Sequence, residues 1–147
     1  MVPQGYWATL YELPDGAGVG VRFVDHTNVT TYGTDWVHAL EMAKEALAAT
    51  LEVDFAQGFR LPEARKPRAR SGERLAFVPL DPEVRVAYVL RDLRETNGLT
   101  QRQVAERLGI TYQSYQRMER PGRSNLSLST LSRVARAMNR DLVFELQ

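Results

Sequence analysis

Residues 99–120, LTQRQVAERLGITYQSYQRMER, decide the fold of the C-terminal part of this chain. Apolar residues recur there at helical spacing on both sides of Gly109, and each run is preceded by a threonine that can act as an N-cap. Gly109 can adopt the positive φ that a tight turn between two helices requires. The stretch therefore predicts two short helices joined by a sharp turn. This helix-turn-helix pattern indicates a DNA-binding protein.

The second of these helices is expected to expose polar side chains. Tyr115 and Met118 are three residues apart and should face the first helix, with Ile110 at the corner. The side chains left outside offer amide, hydroxyl and guanidinium groups, which suit base edges and phosphates. The predicted DNA contacts are Gln101, Arg102, Thr111, Tyr112, Gln113, Gln116, Arg117, Arg120 and Arg123.

The same stretch resembles the Cro/repressor (Xre-like) helix-turn-helix family when positions are counted from Gln101. The small Ala105 stands at the fifth position and Gly109 at the ninth. Tyr115 stands at the fifteenth, where the family packs a buried aliphatic residue, so its hydroxyl needs water or a protein partner. The alternative is an αα-hairpin that packs without binding DNA.

Length and composition predict a folded protein. The chain has 147 residues, near the size of one ordinary domain or two small ones, and 44% of them are apolar. It has no cysteine, which removes disulfides and thiolate metal sites. No apolar run approaches a membrane span, and the first residues lack signal-peptide features. We therefore expect a cytoplasmic protein that needs no membrane, metal or cofactor.

Charge is distributed unevenly along the chain. Net charge is +1, but residues 1–59 carry −6, residues 60–80 carry +4 and residues 81–147 carry +3. This asymmetry indicates that the front part meets a basic partner or avoids nucleic acid, while the back part meets phosphate. For Arg65, Arg68 and Arg70, contact with RNA or DNA and a solvated, mobile loop are equally good explanations.

The front part is expected to form a sheet. Residues 6–13, 19–24 and 29–32 are rich in β-favouring types and bounded by turn residues, which predicts an antiparallel meander. Residues 57–72 form a polar, basic connection interrupted by prolines. Residues 74–79 are predicted to add a fourth strand to the same sheet.

Helices are predicted at three further places outside the helix-turn-helix. Asp35 should cap a helix that ends near residue 51, and its apolar stripe should cover one face of the sheet. Helices are also expected over residues 81–97, with Asp81 as the N-cap, and over residues 128–138. The alternation in residues 141–147 suggests a C-terminal strand, which would need an edge across a dimer or nearby in the chain.

Taken whole, this order resembles the HicB-like antitoxins of type II toxin–antitoxin systems. The resemblance covers nearly the full chain and ends in the helix-turn-helix. The residues that carry it are Phe23-Val24-Asp25, Val29-Thr30-Thr31-Tyr32-Gly33-Thr34-Asp35, Ala39-Leu40, Glu45-Ala46-Leu47 and Phe77-Val78-Pro79-Leu80.

The resemblance implies an α+β fold in two domains. Residues 1–79 would form a partial RNase-H-like domain, a β-meander with a helix and a fourth strand, that binds a toxin. Residues 80–147 would form an all-α Xre-like DNA-binding domain with a short C-terminal strand. The partners implied are a small basic HicA-like mRNA-cleaving toxin and double-stranded operator DNA. The protein would repress its own operon as a homodimer or a higher even-numbered homo-oligomer.

Two other functions are considered. An Xre-like transcriptional regulator could sense a small ligand in a front pocket lined by Trp7, Tyr11, Phe23 and Trp36, although these aromatics suit a core equally. A nuclease would need several carboxylates around divalent ions, whereas Asp25 and Asp35 suit turns and caps, so no catalytic residue is predicted. His26 and His38 are expected at the surface.

Overall fold

The fold is α+β, an antiparallel sheet covered by one long helix and followed by shorter helices. A computed structural model describes residues 1–122 and 125–146, in which no helix is long and apolar enough to cross a membrane. The strands are β1 (Gly5–Glu12), β2 (Val19–Phe23), β3 (Thr30–Gly33) and β4 (Glu73–Pro79). The helices are α1 (Trp36–Ala56), α2 (Pro82–Thr96), α3 (Gln101–Leu108), α4 (Tyr112–Met118) and α5 (Leu128–Ala137).

The sheet confirms the predicted meander. Its strand order is β3-β2-β1-β4, and every neighbouring pair is antiparallel. A short 3-10 turn over Pro14–Gly16 joins β1 to β2. The predicted fourth strand joins this sheet beside β1, with Tyr6 opposite Val78.

The two faces of the sheet differ because side chains alternate along each strand. Tyr6, Ala8 and Leu10 of β1 point toward α1 and are buried in the first hydrophobic core. Trp7 and Tyr11 lie on the opposite face. We call that opposite face the open face of the sheet.

Helix α1 begins where predicted but runs beyond residue 51. The Asp35 carboxylate accepts a hydrogen bond from the backbone N–H of His38 at 2.8 Å, which makes it the N-cap. Gly33 permits close packing of the helix, since a Cβ there would stand 2.3 Å from the backbone nitrogen of Ala39. The last turn is stabilised by Phe55, whose ring packs edge-on against Tyr88 at a centroid distance of 4.9 Å.

Helix α2 belongs to both cores. Val84 and Tyr88 pack into the first core, under the sheet, and Leu90 packs into a second core among α3, α4 and α5. The Tyr88 hydroxyl donates to the carbonyl of Leu51 at 2.5 Å, which ties α2 to α1. The division of the chain at residue 80 stays a prediction, and α2 contributes side chains to both cores.

His26 is not at the surface, contrary to expectation. Its side chain is buried, and its ring stands edge-on to Tyr6 at a centroid distance of 4.3 Å. The His26 Nε2 atom has no hydrogen-bond partner among the described residues. Burial lowers the pKa of His26, opposed by the nearby carboxylates of Asp54 and Asp25.

The stability of the protein should therefore fall when His26 is forced to take up a proton. Because the folded pKa is lowered, the unfolded chain binds the proton more readily. The free energy of unfolding has its highest value above pH 6.5, which is about the pKa of His26 in the unfolded chain. It declines as the pH falls below that value. Urea unfolding between about pH 7.5 and 5.5 should show this decline, and His26→Phe should remove most of it. His38→Gln is the control, and an undiminished decline in His26→Phe contradicts the assignment.

The C-terminal strand predicted over residues 141–147 is not formed in residues 141–146, and residue 147 lies outside the described residues. An extended segment gains ladder hydrogen bonds only from a neighbouring edge, and in the described chain no strand lies beside this one. Val143 and Leu146 are 87% and 90% exposed, and Phe144 is 61% exposed. The apolar alternation therefore lies at the surface in a single copy of the chain.

Candidate DNA-binding surface

The predicted caps and turn of residues 99–120 are confirmed. Thr100 and Gln103 form a capping box at the start of α3, with hydrogen bonds of 3.1 Å and 2.8 Å. Gly109 ends α3 in the left-handed conformation at φ 67°. The Thr111 hydroxyl accepts from the backbone N–H of Ser114 at 3.1 Å and caps α4.

A buried ion pair holds the end of α4 against α2. The Glu119 side chain is 1% exposed and accepts hydrogen bonds from Arg94 Nε at 2.6 Å and Arg94 Nη2 at 3.1 Å. The Tyr115 hydroxyl donates to the same carboxylate at 2.6 Å, and the Gln101 amide donates to it at 2.9 Å. Each donor comes from a different helix or turn, so this carboxylate fixes the mutual position of α2, α3 and α4.

The carboxylate of Glu119 is thus the hydrogen-bond partner that a buried tyrosine hydroxyl at position 115 needs. Burial and then the Glu119 carboxylate raise the pKa of Tyr115, so its hydroxyl stays protonated and acts as a donor. Tyr115 is fully buried, as the family pattern places it, and it fills the second core with Val104 and Met138.

The side chains predicted to contact bases lie on the outer surface of α4. Gln113 and Arg117 are exposed, while Tyr112 and Gln116 are half-buried and joined by a 3.4 Å hydrogen bond from the Gln116 amide to the Tyr112 hydroxyl. The guanidinium of Arg102 stands over the Tyr112 ring at 4.4 Å. These groups form one polar surface that spans α3 and α4.

The remaining predicted contacts divide into three kinds. Arg120 is exposed just after α4, and Thr111 serves as the cap while remaining exposed. Gln101 is half-buried, and its amide donates to Glu119. Arg123 lies outside the described residues. The DNA contacts of the whole set stay a prediction.

Residues 90–144 match the family model described as Helix-turn-helix. The C-terminal region is a helix-turn-helix. This match identifies it as a DNA-binding region of the kind found in transcriptional regulators. The matched range begins inside α2 and includes the second core with its buried Glu119. The comparison with curated proteins found no match for the chain.

The sequence did not reveal the residues that position this helix-turn-helix. Arg94 and Glu119 are 25 residues apart, and nothing in their local pattern indicates that they pair. Arg107 donates to the carbonyl of Ala137 at 2.9 Å and Arg133 to that of Leu108 at 3.3 Å, so each satisfies the end of another helix. The sequence shows a surplus of arginine, but it does not show which arginines donate hydrogen bonds to carbonyl groups of the protein.

The aromatic residues considered for a ligand pocket do not come together. Phe23 is buried on the α1 side of the sheet, whereas Trp7 and Tyr11 lie on the open face. Trp36 is half-buried at the start of α1, with the Arg74 guanidinium 4.2 Å above its ring. The hypothesis of a single pocket lined by these four residues is therefore wrong.

The two front aspartates have structural partners. Asp35 is the cap of α1, and the Asp25 carboxylate, 1% exposed, receives the Arg65 guanidinium at 2.7 Å. The Arg65 backbone N–H also donates to Asp25 at 2.9 Å. In the part of the chain that the structure describes, no group of three histidines or carboxylates could hold a metal ion.

Proposed function

We propose that this protein is a HicB-like antitoxin that represses its own operon. The observation that carries the proposal is the polar outer surface of α4, held in place by the buried Glu119 on a domain that follows an acidic α+β unit. In this proposal Tyr112, Gln113, Gln116 and Arg117 meet base edges in the major groove. Arg102 and Arg120 meet phosphates on either side, and the protein acts in the cytoplasm.

The front unit would act by binding and not by catalysis. We assign it the partial RNase-H-like fold, and we propose that it covers a small basic HicA-like toxin that cleaves mRNA. The outer side of α1 supports this role, since Glu41, Glu45 and Glu52 are exposed there and only Lys44 opposes them nearby in sequence. Such a surface attracts a cationic partner and blocks its access to RNA.

Two copies of the chain are needed for operator-level affinity, because one short recognition helix touches few base pairs. The groove between α2, α5 and the C-terminal tail supports dimer formation. It has a volume of about 550 Å³ and is lined by apolar residues that include Val86, Val89, Leu93 and Leu131. The exposed Phe144 stands at its rim. A second copy would bring the same groove and tail to this surface, as a two-fold interface requires.

Replacing Arg117 with alanine tests the DNA half of the proposal. Duplex DNA from upstream of the gene is the probe, and binding is measured across a range of salt. If Arg117 contacts a base, affinity for that site should fall by about 1–3 kcal/mol and sequence preference should relax. If it contacts a phosphate, all duplexes should bind more weakly. The slope of the logarithm of the binding constant against the logarithm of the salt concentration should then be smaller by about 0.9.

Lys44→Ala removes a positive charge from α1 and is the matched control, expected to leave duplex binding unchanged. An Arg117→Ala protein that binds every duplex as the unaltered protein does contradicts the assignment of α4.

The toxin half is tested by sequencing the neighbouring reading frame and co-expressing its product, which the proposal expects to be a small basic protein. The two proteins should co-purify, and growth inhibition by the neighbour should be relieved. Glu41→Lys with Glu45→Lys reverses the charge of the α1 surface and should weaken the complex, whereas Glu12→Lys in β1 should not. Absence of a complex, or absence of rescue, contradicts the antitoxin role without affecting the DNA assignment.

A further inference from the structure

The open face of the sheet is an aromatic surface. Trp7 and Tyr11 of β1 lie on it with Tyr32 of β3 and Phe77 of β4. Phe77 lies opposite Trp7 in the register, and the two rings meet edge to face at 5.4 Å. Tyr32 is 65% exposed and Phe77 is 41% exposed, so water reaches aromatic rings at both edges of the sheet. Aromatic side chains of this size are ordinarily buried.

The Tyr11 ring lies flat across the neighbouring strand. A Cβ on Gly20 would stand 2.6 Å from two atoms of that ring, so the absence of a side chain at Gly20 lets the ring rest on the β2 backbone. The Arg22 guanidinium stands over the ring, 5.0 Å from its centre, and pairs with Glu73. The Tyr11 ring is therefore held between the β2 backbone and a guanidinium and is only partly exposed.

The basic loop, residues 57–72, packs against the first core and α2 in its first part and reaches the open face at Lys66. Arg65 pairs with the buried Asp25, and the Arg70 backbone N–H donates to Glu73 at 2.8 Å. Between these anchors the Lys66 ammonium stands 4.6 Å above the Trp7 ring. A connection of this length without regular structure is uncommon in a compact fold unless it is functional.

Positive charge on this loop exceeds what the protein itself neutralises. Arg65 is paired with Asp25 and Arg60 with Glu95, the latter at 3.6 Å. The described residues provide no ion-pair partner for Lys66, Arg68 or Arg70. Lys66 brings part of this surplus next to the Trp7 ring, and an anionic partner is the complementary one.

We propose that the open face and the basic loop bind single-stranded RNA. Bases would stack on the exposed rings of Tyr32 and Phe77, while Lys66 and Arg68 hold phosphates. Exposed rings interleaved with cations are the combination that binds single strands, because every base has a π-face and every nucleotide a negative charge. Tyr32 and Phe77 lie on the two edge strands, three interstrand spacings or about 14 Å apart across the sheet, so the exposed rings are spread along the path of an extended chain.

Two features select this ligand over others. Bases in a duplex are stacked on one another and cannot reach a flat protein surface, whereas unpaired bases can. The exposed hydroxyls of Thr30 and Tyr32 lie beside the rings and can bind the 2′-hydroxyl that distinguishes RNA from DNA. A basic protein partner would be repelled by the same surplus charge. This site is separate from α4 and from the acidic side of α1, and so it does not depend on the proposed function.

The test uses the full-length protein and a labelled single-stranded RNA of about 12 nucleotides with mixed sequence. Fluorescence anisotropy between about 50 and 200 mM salt should show salt-dependent binding. The double variant Tyr32→Leu with Phe77→Leu should lower the affinity for this RNA. The expected loss is about 5- to 150-fold for each base that no longer stacks on an aromatic side chain. Lys66→Ala with Arg68→Ala should reduce the salt slope by about 1.4.

Duplex DNA binding and the unfolding transition should be unchanged in these variants, which separates loss of this site from misfolding or from failure of the repressor assignment. Lys44→Ala is the charge control. The proposal is overturned if no single-stranded RNA binds at the lowest salt, or if a DNA strand of the same sequence binds equally well. It is also overturned if Arg117→Ala abolishes RNA binding while the aromatic variants retain it.

Discussion

Replacing Glu119 with alanine should lower the free energy of unfolding by about 3–5 kcal/mol. The substitution leaves the Arg94 guanidinium, whose side chain is 13% exposed, without its carboxylate. It also removes the acceptor of the Tyr115 hydroxyl, which is completely buried, and of the Gln101 amide. An uncompensated charge and unmet hydrogen bonds in a low-dielectric interior are costly, whereas a simple surface pair would contribute little.

Chemical denaturation with circular dichroism measures this loss. Tyr115→Phe removes a single hydrogen bond and should cost about 0.5–1.5 kcal/mol. Glu106→Ala in α3 is the matched control because Glu106 is an exposed glutamate in the same motif. A Glu119→Ala protein as stable as Glu106→Ala would show that the ion pair does not stabilise the helix-turn-helix. Because α4 is positioned through Glu119, duplex binding should weaken in parallel with stability.

Replacing Phe144 with aspartate should separate the proposed dimer and lower affinity for an inverted repeat by about 10²- to 10⁴-fold. Phe144 is 61% exposed at the rim of the groove between α2 and α5. In a single chain the new aspartate would therefore be solvated, and the free energy of unfolding should not change. In a two-fold interface the new carboxylate would be buried against apolar residues of the second copy. Linked recognition helices bind two half-sites as one event, and separated helices lose that advantage.

Sedimentation velocity and duplex binding test this expectation together. Binding to an isolated half-site should be unchanged, because α4 is untouched. Val53→Asp on α1 is the control, as Val53 is 55% exposed far from the groove in sequence. A Phe144→Asp protein that remains dimeric places the interface elsewhere. An unaltered protein that is monomeric at the concentrations that saturate the operator contradicts the dimer itself.

The sequence was most informative where structure is decided by neighbouring residues. Asp35, Asp81, Thr100 and Thr111 were each expected to cap a helix, and each accepts a hydrogen bond from a backbone N–H two or three residues later. Gly109 adopts the left-handed conformation expected of it. Caps and tight turns depend on a few consecutive residues, so their chemistry is visible in the sequence. The meander was predicted for the same reason.

Local patterns were misleading where a long-range partner decides the outcome. The alternation of residues 141–146 suggested a strand, but a strand needs an edge, and the described chain has none beside it. His26 lies in a polar stretch and was expected at the surface, yet it is buried against Tyr6. In both cases the sequence pattern was interpreted correctly, but the three-dimensional surroundings of the residues could not be inferred from it.

The sequence by itself determined the kind of protein: an α+β front, a helix-turn-helix with its caps and turn, and a set of polar side chains available outside α4. Only the tertiary structure decided which charges are buried and which are free. Arg94 is paired with Glu119 and Arg65 with Asp25, while Lys66 lies over the Trp7 ring on the open face and Arg68 is exposed. The physical reason is that a charge's role depends on its burial and on the partner within about 4 Å, and both come from residues distant in the chain.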